Sequence, residues 1–208
     1  YYSAARDFAE LEDVRLIGET AAKRTVARKG ARKIRTTRAP VLFTSEQARG
    51  FIGHAIGSIS GGAQYRRASF LLDAVGEKIF PDFVPIQERP HLLKGMASAP
   101  YDAEGVATYD RDVVSDGVLH GYILGSYSAR RLGLQTTANA GGAQNLLVPG
   151  NAGDLDSRIK NMGTGLRVEE LVGQGGNSVT GDYSRGVVGH WVANGEIQYP
   201  VHEATIAG

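Results

Sequence analysis

Five histidines, His54, His91, His120, His190 and His202, are the side chains best suited to proton transfer or metal binding near neutral pH. None lies within six residues of another, so no local pair of the HExxH or HxH kind exists. A metal site would need distant ligands, such as His54, His91 and Asp102, to converge. His54 falls in an apolar helical pattern and is expected to be a satisfied core histidine. His190 and His202 fall in strand patterns, where cross-strand or surface pairing is expected. Cys is absent, which removes thiolate nucleophiles, disulfides and cysteine-rich zinc sites and fits a reducing compartment. Ser58-Ile59-Ser60-Gly61-Gly62 follows a helical pattern instead of preceding one, so it is not a nucleophile elbow.

Two glycine-containing segments have the composition of binding loops. Gly173-Gln174-Gly175-Gly176-Asn177 lacks the Lys and Ser/Thr of a phosphate loop. It reads as a tight connection using positive φ, with close approach to a bound backbone as a second reading. After it, Thr180-Gly181-Asp182-Tyr183-Ser184-Arg185-Gly186 sets polar residues between glycines. Here two readings stay open: a strand that accepts an extended peptide by edge pairing, and a structural strand with Asp182 and Arg185 as a surface pair.

These candidates must be positioned by an α+β fold, with a helical first half packed on a mostly antiparallel sheet formed by the second half. Leu11, Val14, Ile17, Ala21, Ala22 and Val26 share one helical face, predicting a helix from about Arg6 to Lys29 that stops at Gly30. Val41-Leu42-Phe43 predicts a strand, and Thr44-Ser45-Glu46 caps a helix running to Gly61-Gly62. An apolar segment spans Phe70 to Phe80, and four of the seven prolines fall between Pro81 and Pro100, predicting loop. Asp116-Gly117 and Asn194-Gly195, each between strand-like runs, predict hairpins. Tyr127–Leu132 and Leu155–Met162 read as short helices closed by Gly133 and Gly163.

Lys23, Arg24, Arg28, Lys29, Arg32, Lys33, Arg35 and Arg38 form the one charge run, with no acid among them. It could bind phosphates. No aromatic residue is interleaved for base stacking, so a solvated helix end is favoured and nucleic acid is not an expected partner. Overall the 208 residues carry Lys+Arg 23 against Asp+Glu 22, with 42% apolar content, which places the chain among soluble globular proteins. No run approaches the ~18 apolar residues a membrane helix needs, and no leader pattern opens the chain; no membrane partner is expected. The expected division is a helix and basic connector over 1–39 and a folded domain over 40–208. Gly, at 28 residues, is about twice the usual ~7%, predicting many turns or close backbone approaches.

Longer motifs carry a resemblance. Ser69-Phe70-Leu71-Leu72-Asp73, His91-Leu92-Leu93-Lys94-Gly95, Ser126-Tyr127-Ser128-Ala129-Arg130, Met162-Gly163-Thr164-Gly165-Leu166, Thr180 to Gly186 and Trp191 to Val201 make the chain similar to the TldD/PmbA proteins, in the PmbA (TldE) branch. The resemblance implies one subunit of a bacterial cytoplasmic heteromeric peptidase that processes extended or unfolded peptides, including a peptide antibiotic precursor and antitoxin-type peptides. It implies a TldD-type catalytic partner that holds zinc through an HExxxH helix and a later Cys, and a homodimer when that partner is absent. Laid on this chain, the motif puts Gly53 at the first His, His54 at the Glu and Ser58 at the second His. Glycine offers no ligand, serine is a poor one for zinc, and imidazole does not replace the carboxylate base. The implied subunit is therefore non-catalytic, with no cofactor of its own, and its Thr180 to Gly186 segment helps hold the peptide at a dimer cleft. The resemblance also implies a preceding domain and further strands, so the terminal strand is expected to expose an edge. Two competing expectations are a metallopeptidase with a site built from His54, His91 and Asp102, and a nucleic-acid-associated protein using the 23–38 cluster, which echoes an older family label as a modulator of DNA gyrase.

Overall fold

Asp13 decides where the first long helix begins. Its carboxylate accepts from the Arg15 and Leu16 N–H groups, so α1 runs Val14–Ala27 and not from Arg6. Phe8–Glu10 form a separate 3-10 turn capped by Asp7. The apolar face of α1 buries no residue. Polar contacts hold the helix instead: Arg24 is paired with Glu46 through both of its terminal nitrogens, at 2.8 and 2.7 Å, and Arg28 is paired with Glu170. The computed structural model describes residues 1–150 and 153–208.

After α1 come β1 (Val41–Phe43), α2 (Ser45–Ser58), α3 (Gly61–Tyr65), β2 (Ile86–Glu88), β3 (Arg111–Ser115) and β4 (Val118–Leu119). They are followed by α4 (Ser126–Leu132), β5 (Leu146–Leu147), α5 (Leu155–Met162), β6 (Gly165–Val172), β7 (Ser184–Ala193) and β8 (Glu196–Ala207). The class is α+β, but the strands make two four-stranded sheets, in the orders β1-β6-β7-β8 and β4-β3-β2-β5. Only β1 and β6 run parallel among these strand pairs. The first half also supplies strands, β1 to one sheet and β2, from the proline-rich stretch, to the other.

Both predicted hairpins form. Asp116 and Gly117 have φ of 50° and 75°, and Asn194 and Gly195 have 55° and 73°, the paired positive values a two-residue turn requires. The helix read as running to Gly61-Gly62 breaks at Ile59-Ser60, where the Ser60 hydroxyl caps the short α3. Residues 70–80 form turns, not a helix or strand.

Each sheet has its own core. Ile59, Ile86, Val113, Val114, Leu119 and Leu124 fill the first; Leu166, Val168, Val187 and Val201 fill the second. The intervening β1–α2 unit belongs to both, since Ile52 and Ile56 pack on the first core and Phe43 on the second. Beside the first core, Glu88 is buried, accepting from Arg111 Nε, Asn139 Nδ2 and the Gln144 backbone, each at 2.7 Å. Asp102 is also buried. Burial raises its pKa, but the N–H groups of Ala140, Val106 and Glu104 together hold the carboxyl below the ordinary range.

Candidate functional site

From Phe51 to Ser58, α2 borders a cavity of about 850 Å³. Its walls come from α2, the turns at 66–71 and 79–80, the 174–183 connection and the end of β8. Aromatic rings dominate one side: Phe43 stacks on Phe51 at 5.6 Å, and Tyr183 meets Phe51 edge-on at 5.3 Å and His54 at 5.7 Å. The two candidate groups separated in the sequence thus converge. Gly53, His54 and Ser58 face the same space as Gly181, Asp182 and Tyr183. Thr180, Ser184, Arg185 and Gly186 do not line it.

His54 is half-buried at this wall and is not the core histidine its apolar neighbours predicted. Ser58 is fully buried, and its hydroxyl donates to the His54 carbonyl at 2.9 Å, turned back on its own helix. Gly53 and Gly57 also border the cavity, and a Cβ at either would meet nothing within 4 Å. Neither glycine is therefore required by packing, although each costs the helix about 1 kcal/mol relative to alanine.

The 174–183 connection is held by its own polar groups. Asn177 Oδ1 accepts from Val179 N at 2.9 Å, Gly181 N donates to Asn177 O at 2.8 Å, and Thr180 Oγ1 donates to Asp182 at 2.6 Å. Residues 180–183 are thus turn and bridge, and β7 begins only at Ser184. From there β7 pairs with β8 along Ser184–Gly186 and with β6 only from Gly186 onward, while Ser184 N donates to the Gly175 carbonyl at 2.7 Å. Asp182 and Arg185 form no surface pair, because the Arg185 guanidinium donates to the Gly173 carbonyl. In the glycine loop, Gly173 has the predicted positive φ, 79°. Gly175 and Gly176 serve close approach, but to the chain itself: a Cβ on Gly175 would lie 1.6 Å from Ser184 O, and one on Gly176 2.5 Å from His54 Nδ1. The Tyr183 hydroxyl is buried without a hydrogen-bond partner. Burial raises its pKa against the pull of Arg185.

The dispersed ligands do not meet. His91 Nε2 lies 3.0 Å from Thr108 Oγ1, Asp102 is taken by backbone N–H groups, and His54 faces the cavity. Among the described residues no three His, Cys, Asp or Glu side chains are grouped to hold a metal ion. Four cations of the basic run have acidic partners: Lys23 meets Glu19 one turn away on its own helix, and the fold brings Glu46, Glu170 and Glu203 to Arg24, Arg28 and Lys33. His190 is buried, with Nδ1 3.2 Å from Glu169 and Nε2 3.3 Å from the Ala27 carbonyl. Contact with this imidazole is the main cause holding the Glu169 carboxyl below its usual range. The outer edge of β8 is met at Val201 by a bridge from Arg32.

Residues 36–208 match the family model described as the PmbA/TldA metallopeptidase C-terminal domain. The chain is 51% identical over 207 residues to the metalloprotease PmbA of Escherichia coli O157:H7, covering all of this chain and 46% of that protein. A crystal structure from Bacteroides thetaiotaomicron, named as a proposed modulator of DNA gyrase, superposes with a TM-score of 0.93 at 28% identity, covering 98% of this chain and 46% of the other. TldE from Thermococcus kodakarensis shares the fold, with a TM-score of 0.85 at 21% identity over 99% of this chain and 49% of its own. The chain belongs to the PmbA/TldD metallopeptidase family and spans about half the length of the curated relatives it matches. The family name implies a metal, and two residues of α2 at this cavity do not fit one: Gly53 has no donor, and the Ser58 hydroxyl is committed to the His54 carbonyl.

Proposed function

We propose that this chain is the non-catalytic PmbA/TldE-type half of a heteromeric cytoplasmic metallopeptidase, and that its cavity holds part of an extended peptide while a TldD-type subunit supplies the zinc and cleaves. The observation that carries this reading is the state of α2. The helix that would present ligands offers instead two bare glycine positions, an aromatic wall and an inward-turned serine. Such a surface can receive apolar side chains of a peptide. Thr180 to Asp182 fix the wall opposite α2, which gives the 180–186 segment a supporting part in holding the peptide. The division of labour matches general chemistry, since burying one large apolar side chain is worth about 1.5–3 kcal/mol of affinity without any catalytic group.

Gly57→Leu in the full-length subunit tests this. The added side chain enters the cavity and meets no neighbour at its Cβ, while leucine is a better helix former by about 0.8 kcal/mol. Thermal stability should hold or rise, and the KM of the assembled complex for an unfolded peptide should increase on the order of tenfold, the loss of one buried apolar contact. Unchanged KM in a stable Gly57→Leu complex would remove the cavity from the mechanism.

A further inference from the structure

Beside the cavity mouth, residues far apart in sequence assemble a cationic surface that the basic run at 23–38 does not share. Tyr65, at the end of α3, meets Tyr127 of α4 edge-on at 5.6 Å. Two guanidiniums stand over the Tyr65 ring, Arg66 at 5.3 Å and Arg131 at 5.8 Å from its centroid. Arg66 also borders the cavity and donates to the Tyr65 hydroxyl at 3.1 Å. Arg67 adjoins them, 3.9 Å from Asp73, with both side chains strongly exposed. Among the described residues no ion pair engages Arg66 or Arg131, in contrast to Arg24 in α1 and Arg28 just after it, which face carboxylates.

A guanidinium held over a ring keeps its orientation; apart from the one Arg66 N–H given to the Tyr65 hydroxyl, the in-plane donors stay open, and such a fork matches a carboxylate in bidentate fashion. Single-stranded nucleic acid would instead need free aromatic faces for its bases. Here the Tyr65 ring already carries two guanidiniums and takes part in the contact with Tyr127. Charge and geometry therefore favour an acidic peptide.

We infer that Arg66 and Arg131, ordered on Tyr65, bind a carboxylate side chain of the peptide whose apolar part enters the adjoining cavity, so that acidic residues flanking an apolar one mark the preferred substrates. This rests on the reading that the cavity holds peptide. The experiment uses the full-length protein and fluorescence anisotropy with two labelled peptides sharing one apolar centre, flanked by Glu in one and Gln in the other. At low ionic strength the Glu peptide should bind about fivefold more tightly, as a partly exposed charge-assisted contact allows. In the Arg66→Gln/Arg131→Gln double variant the ratio should fall to about one. The Arg66→Lys/Arg131→Lys variant should keep part of it, because charge remains and the fork is lost. No Glu preference in the wild type, or one that survives in the Gln variant, overturns the inference. So does a single-stranded oligonucleotide whose binding, instead of the peptide's, falls with the Gln variant. Gly57→Leu separates the two readings: if it weakens both peptides alike while the Gln variant leaves their ratio untouched, the cavity stands and the carboxylate site fails. If Gly57→Leu changes neither and the Gln variant still erases the preference, the carboxylate site stands and the cavity reading fails.

Discussion

Arg111→Met is expected to lower the stability of this protein by about 3–5 kcal/mol, the usual consequence of removing one member of a buried ion pair. Glu88 and Arg111 expose only 2% and 12% of their side chains and meet at 2.7 Å. Arg111 does more than neutralise charge: its other nitrogens donate to the Tyr122 carbonyl at 3.1 Å and to Asn139 Oδ1 at 2.8 Å. It thereby ties β3 to the segments on both sides of α4. Methionine fills much of the volume but leaves a carboxylate in a site that has lost its cation, with only the Asn139 and Gln144 donors remaining. Urea unfolding reads the loss. Adding Glu88→Gln to the variant should cost less than the sum of the two single changes, because the charge left behind is then gone. Strict additivity would mean the pair is not coupled and that its geometry here carries no energetic weight.

Gly175→Ala is the second large effect. The added Cβ would lie 1.6 Å from the Ser184 carbonyl oxygen, and the same glycine's carbonyl accepts from Ser184 N at 2.7 Å. Both partners are backbone, so no side-chain rotation relieves the clash. The connection must lift off the start of β7. A destabilisation of about 3 kcal/mol, at the upper end for overpacking, is expected in urea unfolding. Because Gln174, Gly176 and Asn177 belong to the cavity wall, peptide hydrolysis by the assembled complex should fall with it. Full activity in a Gly175→Ala complex would show that this wall does not take part.

The elements that proved legible in the sequence are those whose signal is local. Asn194-Gly195 and Asp116-Gly117 specify their turns within two residues, and Gly133 closes α4 with a left-handed φ of 69°. Apolar periodicity located α2 but misplaced the start of α1, because a hydrophobic pattern from Leu11 onward outweighed the capping signal of Asp13. The same periodicity made His54 look like core. What decides its position is Gly176 pressed on its ring and Tyr183 beside it, more than 100 residues away. Three cations of the basic run, Arg24, Arg28 and Lys33, looked unpaired because their acids arrive from Glu46, Glu170 and Glu203. The Glu88 network and the Tyr65–Arg131 surface are likewise assembled across long separations, and pattern reading along one segment does not reach them. The spacing of Gly53 and Gly57 was the one available hint of the cavity: two glycines one turn apart inside a helix lower its stability without a turn to make.

The central claim is that this subunit contributes to peptide hydrolysis without providing the hydrolytic centre. The most direct measurement is hydrolysis of an unfolded peptide by the full-length protein alone, by a TldD-type partner alone and by the two mixed, with metal content determined for each. The account predicts that zinc accompanies the partner, that this protein alone neither holds zinc nor cleaves, and that activity rises on mixing. Zinc-dependent cleavage by this protein alone would contradict it.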